Sequence, residues 1–174
     1  MTSDEQDAPG DPESVARAIC LRLLAQRART RAELAQALRR RGVPDGAAGS
    51  VLDRFAEVGL IDDAALAQNA ALTHRERGLA ARAVAVKLRK RGLPDSAVEA
   101  ALGLIDPDSE REAARRLVAR KLPALHALPP ETRSRRLVGM LGRRGYPLAL
   151  AVDVVRDAMA GELPEHLSGE LAGE

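Results

Sequence analysis

A chain of 174 residues, 45% hydrophobic but only 1% aromatic, carries 27 Lys and Arg against 25 Asp and Glu and has room for one ordinary domain or a short array of small ones. With Phe55 and Tyr146 as its only aromatic residues, its core must come from Leu, Val, Ile and Ala, which suits closely packed helices better than a β-sandwich. The lone cysteine, Cys20, excludes an internal disulfide, no apolar run approaches the roughly 20 residues that span a bilayer, and the acidic N-terminus is the reverse of a secretory signal, so a cytoplasmic protein without membrane contact is expected.

The segment 1–12 reads as an acidic, disordered tail holding Asp4, Glu5, Asp7 and Asp11. Asp11-Pro12 then opens a helix with Val15, Ile19, Leu23 and Leu24 on one face. Cys20 lies beside that stripe and reads as a small buried hydrophobe rather than a nucleophile. Thr30 and Glu33 have the spacing of a capping box and start a helix carrying Leu34 and Leu38. After Gly42-Val43-Pro44, Asp45 is the expected N-cap of a third helix with Val51, Leu52, Phe55 and Val58.

The same three-part order follows twice more. Asp62 is the expected cap of the next helix, with Ile61 placed to staple onto Leu66, and Gly78 breaks it. Ala81, Val84, Ala85 and Leu88 mark another, and Asp95 caps a helix with Val98, Ala101 and Leu102. Asp106-Pro107 opens a helix with Ala113, Leu117 and Val118, which Pro123 ends. Pro129-Pro130 starts the next, with Leu137, Val138 and Leu141, and the last carries Ala151, Val152, Val155 and Met159. A second acidic tail, 161–174, is also expected to be disordered.

One phrase sets this period. Leu38-Arg39-Arg40-Arg41-Gly42-Val43-Pro44 returns as Leu88-Arg89-Lys90-Arg91-Gly92-Leu93-Pro94 and as Leu141-Gly142-Arg143-Arg144-Gly145-Tyr146-Pro147, at intervals of 50 and 53 residues. Each copy reads as a helix end: basic residues at the negative end of the dipole, Gly in a left-handed turn, then Pro. The predicted fold is therefore all-α, with three tandem three-helix repeats over 13–61, 62–105 and 106–160 forming an elongated, curved array.

The charge is unevenly placed. Eight of the 25 acids lie in the two tails, leaving 17 against all 27 Lys and Arg in the body, a balance of about +10 that favours a polyanion or an acidic protein surface. The candidate basic face consists of Arg39, Arg40 and Arg41, of Arg75, Arg77 and Arg82, of Lys87, Arg89, Lys90 and Arg91, and of Arg143 and Arg144. The basic triplets are also explained as helix-end charge; Arg75, Arg77 and Arg82 less so. With almost no aromatic residues for base stacking, any contact with single- or double-stranded DNA is expected to be weak, through the backbone and sensitive to salt.

Catalytic constellations are absent from the sequence. It has no phosphate-binding loop motif, and His74, His126 and His166 are scattered without metal-ligand spacing. Asp62-Asp63 reads as a cap followed by a dipole-favoured acid. No catalytic, metal or cofactor residues, and no small-molecule substrate, are therefore expected.

Several segments resemble the RecX family of recombination regulators. Cys20-Leu21-Arg22-Leu23-Leu24, Thr30-Arg31-Ala32-Glu33-Leu34 and Val51-Leu52-Asp53-Arg54-Phe55 resemble its opening repeat, and Gly59-Leu60-Ile61-Asp62-Asp63 its junction into the second. Leu88-Arg89-Lys90-Arg91-Gly92 and the stretch from Leu137 to Tyr146 resemble its later repeats, and the similarity runs from about Glu13 to Met159. Leu66 stands where the family usually has an aromatic residue, and Lys87 where it often has Glu. The resemblance implies a non-enzymatic protein that binds the RecA recombinase filament in its helical groove and inhibits ATPase, strand-exchange and co-protease activities, with DNA as an accessory contact. The alternative from charge alone is a general basic helical module for DNA or RNA.

Overall fold

The computed structural model describes residues 10–161, all of whose regular structure is helical. Three helices, α1 (Pro12–Gln26), α2 (Arg31–Arg39) and α3 (Asp45–Glu57), form the first repeat. The second comprises α4 (Asp63–Glu76), α5 (Ala81–Lys90) and α6 (Asp95–Gly103). The third comprises α7 (Pro107–Lys121), which runs into a 3₁₀ turn (Leu122–Leu125), followed by α8 (Pro130–Arg143) and α9 (Leu148–Ala160). The disorder expected of the acidic tails lies outside the described residues, except that Asp11 and Pro12 already belong to the start of α1 and Gly161 caps α9.

Local chemistry sets most of these boundaries. The Asp11 carboxylate accepts from the amides of Glu13 and Ser14, and Asp106 does the same for Asp108 and Ser109. Thr30 and Glu33 form the reciprocal capping box, and Asp62 accepts from the Ala65 amide at 2.8 Å. Asp45 departs from expectation. It is the first residue of α3, the cap position belongs to Pro44, and no side chain bonds there. The chain enters α3 directly from the proline, so Asp45 acts only as an acid in the first turn, where the helix dipole favours it. Asp95 likewise starts α6 from inside the helix, its carboxylate accepting from Arg89 Nε at 2.7 Å.

The basic phrases end their helices as Schellman motifs. Val43 N–H reaches back to Leu38 O and Gly42 N–H to Arg39 O; Leu93 and Gly92, and Tyr146 and Gly145, repeat the pattern. All three glycines have positive φ, +74°, +78° and +90°.

The described residues pack into two compact units, one of residues 10–70 and 87–101, the other of 71–86 and 102–161. The core of the first contains Ala16 and Cys20 from α1, Leu34 and Leu38 from α2, and Ala48, Val51, Leu52 and Phe55 from α3. That of the second contains Ala114, Leu117 and Val118 from α7, Leu137 and Leu141 from α8, Tyr146, and Ala151, Val154 and Val155 from α9. Each unit thus holds one of the two aromatic residues. Leu34, Leu38, Leu137 and Leu141 have no solvent exposure, and burial of each such side chain is worth about 1.5–3 kcal/mol.

The buried faces are turned slightly from those expected. Val15, Val58 and Val152 are 43%, 51% and 42% exposed, whereas Ala16 and Cys20 in α1 and Val154 in α9 are fully buried. Small side chains let α1 approach α2 and α3 closely, which moves the contact line off Val15 and onto Ala16 and Cys20.

Candidate functional site

The second and third copies of the repeated phrase act as joints between repeats. In the first unit the end of α5 seats on the start of α2. Thr30 is fully buried; its hydroxyl accepts from the Glu33 amide at 3.0 Å and donates to Arg91 O at 2.9 Å. The Arg91 guanidinium forks onto both Glu33 oxygens at 3.2 Å, and Arg27 bonds the same carboxylate. Burial alone would raise the pKa of Glu33, but bonds from Arg91, Arg27 and the Thr30 amide outweigh it and hold the group at about 2. Asp63 Oδ1 accepts from the Arg31 amide at 3.0 Å, capping α2 from the first turn of α4. Gly92 sits so near α2 that a Cβ there would lie 2.5 Å from that of Ala32.

The second unit repeats this arrangement with different atoms. Arg144 O accepts from the Ala80 amide at 3.0 Å, as Arg91 O accepts from Thr30. Glu110 Oε1 accepts from the Ala81 amide at 2.7 Å, as Asp63 does for Arg31. A Cβ on Gly145 would lie 2.6 Å from that of Ala83. The Arg144 guanidinium donates to Arg77 O at 2.7 Å, and the Tyr146 hydroxyl to Gly78 O at 3.4 Å. Burial and the nearby Glu110 charge push the Tyr146 phenol above its ordinary value. In the first phrase, by contrast, a Cβ on Gly42 would meet nothing within 4 Å. Among the described residues no side chain caps α8, whose first residue, Pro130, has no N–H to cap.

The joints sort the candidate basic residues. In the first unit, Arg91 is taken up by Glu33, Arg89 by Asp95, and Arg41 by the carbonyl of Ala37 at 3.1 Å. Arg39, Arg40, Lys87 and Lys90 are exposed and make no side-chain hydrogen bond or ion pair among the described residues. Arg39, Lys90 and Arg91 are brought together around a groove of about 380 Å³ that also includes Glu33 and Gln36.

In the second unit, Arg144 is held in the joint and Arg75 donates to Ser109 Oγ. Arg77, Arg82 and Arg143 are exposed and unpartnered among the described residues. Arg75 and Arg77 line a pocket of about 200 Å³ with Arg116 and Arg120, which the repeat phrase does not reach. Arg143 instead lines a pocket of about 470 Å³ with Lys121, Arg135 and Arg136. A sequence signal existed for part of that set: Arg136, Met140 and Arg143 stand at i, i+4 and i+7 on α8.

Among the described residues, no cluster of His, Cys, Asp or Glu is placed to hold a metal ion, and no helix is long and apolar enough to cross a membrane. Cys20 is buried, and desolvation raises its thiol pKa.

Residues 16–55 match the family model described as RecX, first three-helix domain. The regulatory protein RecX of Streptomyces coelicolor is 48% identical over 171 residues, covering 97% of this chain and 91% of that protein. That of Thermobifida fusca is 50% identical over 156 residues, covering 89% and 84%. The crystal structure of RecX from Lactobacillus salivarius, only 18% identical, superposes with a TM-score of 0.78 over 86% of this chain and 98% of its own. The all-helical fold and the sequence similarity over nearly the full length agree: the chain belongs to the RecX family of regulatory proteins.

Proposed function

We propose that this chain binds the RecA recombinase filament on DNA and inhibits its ATPase, strand-exchange and co-protease activities, acting in the cytoplasm as a negative modulator of recombination and without catalysis or cofactor of its own. The observation that carries this reading is 48% identity to a regulatory protein RecX over 97% of this chain. The exposed, unpartnered cations support it physically. Arg39, Arg40, Lys87 and Lys90 in one unit and Arg77 and Arg82 in the other are free to meet acidic protein surface or DNA phosphate. Separate weak contacts on one chain reinforce each other once the first has formed. In this reading the repeats over 13–61, 62–105 and 106–160 are the units that engage successive parts of the filament.

The test is RecA's DNA-dependent ATP hydrolysis at increasing amounts of this protein, beside a variant with those six residues changed to Ala. Inhibition below one copy per recombinase, weakened in the variant, is the expected result. No inhibition by folded protein in excess, together with salt-sensitive binding to DNA alone, would replace this reading with the general nucleic-acid module.

A further inference from the structure

Lys121 at the end of α7, and Arg135, Arg136 and Arg143 along α8, surround the 470 Å³ pocket of the second unit, with Leu125 and Met140 as its apolar lining. All four cations are exposed, and none has a hydrogen bond or ion pair among the described residues. Several surface arginines elsewhere have an acid beside them, as Arg31 has Asp53, Arg54 has Glu57, Arg89 has Asp95 and Arg156 has Asp153, and the groove lined by Arg39, Lys90 and Arg91 includes Glu33. No carboxylate lines this pocket. Four like charges facing one concavity repel one another, and an anion placed among them relieves that repulsion. Helix-end charge does not account for the set, because Arg135 and Arg136 stand in the middle of α8.

The lining also limits the chemistry of the anion. Its polar side chains are donors only. A phosphodiester backbone presents acceptors only along its charged edge, and a guanidinium fork matches its two free oxygens. An acidic peptide would bring backbone N–H groups that find no side-chain acceptor here. The phosphates of a duplex lie on a convex cylinder, whereas a single strand can enter a concavity and lay a sugar or base face on Leu125 and Met140.

We propose that the pocket formed by Lys121, Arg135, Arg136 and Arg143 is a binding site for the backbone of single-stranded nucleic acid. Binding of an oligonucleotide here needs no recombinase and its test contains none, so failure here leaves the regulatory reading intact. Binding of a labelled oligothymidylate to the full chain is measured by fluorescence anisotropy across a salt series. The R135A/R136A/R143A variant is compared with an R17A/R22A/R54A variant that removes the same charge from the other unit. Thermal melts followed by circular dichroism establish that both fold, and K121A provides a single-site check.

Affinity should fall at least about tenfold in the pocket variant, with the slope of log affinity against log salt reduced by about 2. The charge-matched variant should lose less than about threefold, and K121A should fall between the two. Equal losses in the two triple variants would overturn the proposal, since only net charge would then matter. Competition by oligoglutamate as strong as by unlabelled oligothymidylate would overturn it in favour of an acidic protein segment. A duplex bound as tightly through the same residues would also overturn it.

Discussion

Replacing Glu33 by Gln removes one charge from the joint between α2 and α5 while keeping a side chain of the same length, able to accept in the capping box. The native carboxylate is held at about 2 against an ordinary 4.5. At about 1.4 kcal/mol for each pH unit, that difference corresponds to about 3 kcal/mol of stability. Arg27 is 50% exposed, so solvent screens its share, and about 2 kcal/mol is the better expectation.

The direction follows from the lowered pKa. Stability from Glu33 is fully present above the unfolded value near 4.5 and is lost as pH falls from there toward 2. Urea unfolding of the native and E33Q proteins should differ by about 2 kcal/mol at neutral pH. About 1 kcal/mol of that gap should be gone by roughly pH 3.5. A gap that stays constant with pH, or one below about 0.5 kcal/mol at neutral pH, would refute the assignment of the charge-assisted bonds as its source.

Two glycines of the same local geometry separate turn from joint. Gly42→Ala should cost about 1 kcal/mol, for the positive φ alone, whereas Gly92→Ala must also displace the Ala32 methyl and should cost about 3 kcal/mol by chemical denaturation. Cys20 should resist an excess of thiol reagent in the native protein and react at once in denaturant, because it is fully buried with a raised pKa. Tyr146→Phe should cost no more than about 0.5 kcal/mol, since the lost bond to Gly78 O is long at 3.4 Å and the ring remains in the core.

What was legible in the sequence is what nearby residues decide among themselves. The Thr30–Glu33 capping box, the caps at Asp11, Asp62 and Asp106, and the left-handed glycines of the repeated phrase each depend on fewer than seven consecutive residues. Asp45 resisted this reading because the proline before it already delivers the chain into the helix. The second role of the phrase was not legible. Arg41, Arg91 and Arg144 occupy equivalent positions, but among the described residues only the carbonyls of the latter two accept from the start of an earlier helix. Nothing local marks Asp63 or Glu110 as caps for helices about 30 residues earlier.

The candidate basic residues divide for the same reason. Helix-end arginines look alike in sequence, yet Glu33 takes up Arg91, and carbonyl oxygens take up Arg144. Lys121, Arg135 and Arg136 belong to no repeated phrase, and only the folding of α8 beside the end of α7 brings them to one pocket.

The joints also order events on the ribosome. When the chain has been made as far as Glu57, all three helices of the first repeat exist, but the buried Thr30 hydroxyl still lacks Arg91 O, 61 residues further on. The Arg31 amide likewise awaits Asp63. Arg77 and Gly78 in turn wait for Arg144, 67 and 66 residues later. The first and second repeats are therefore each completed only by translation of the next, and a nascent chain truncated before Arg91 leaves the first repeat with the start of α2 unsealed.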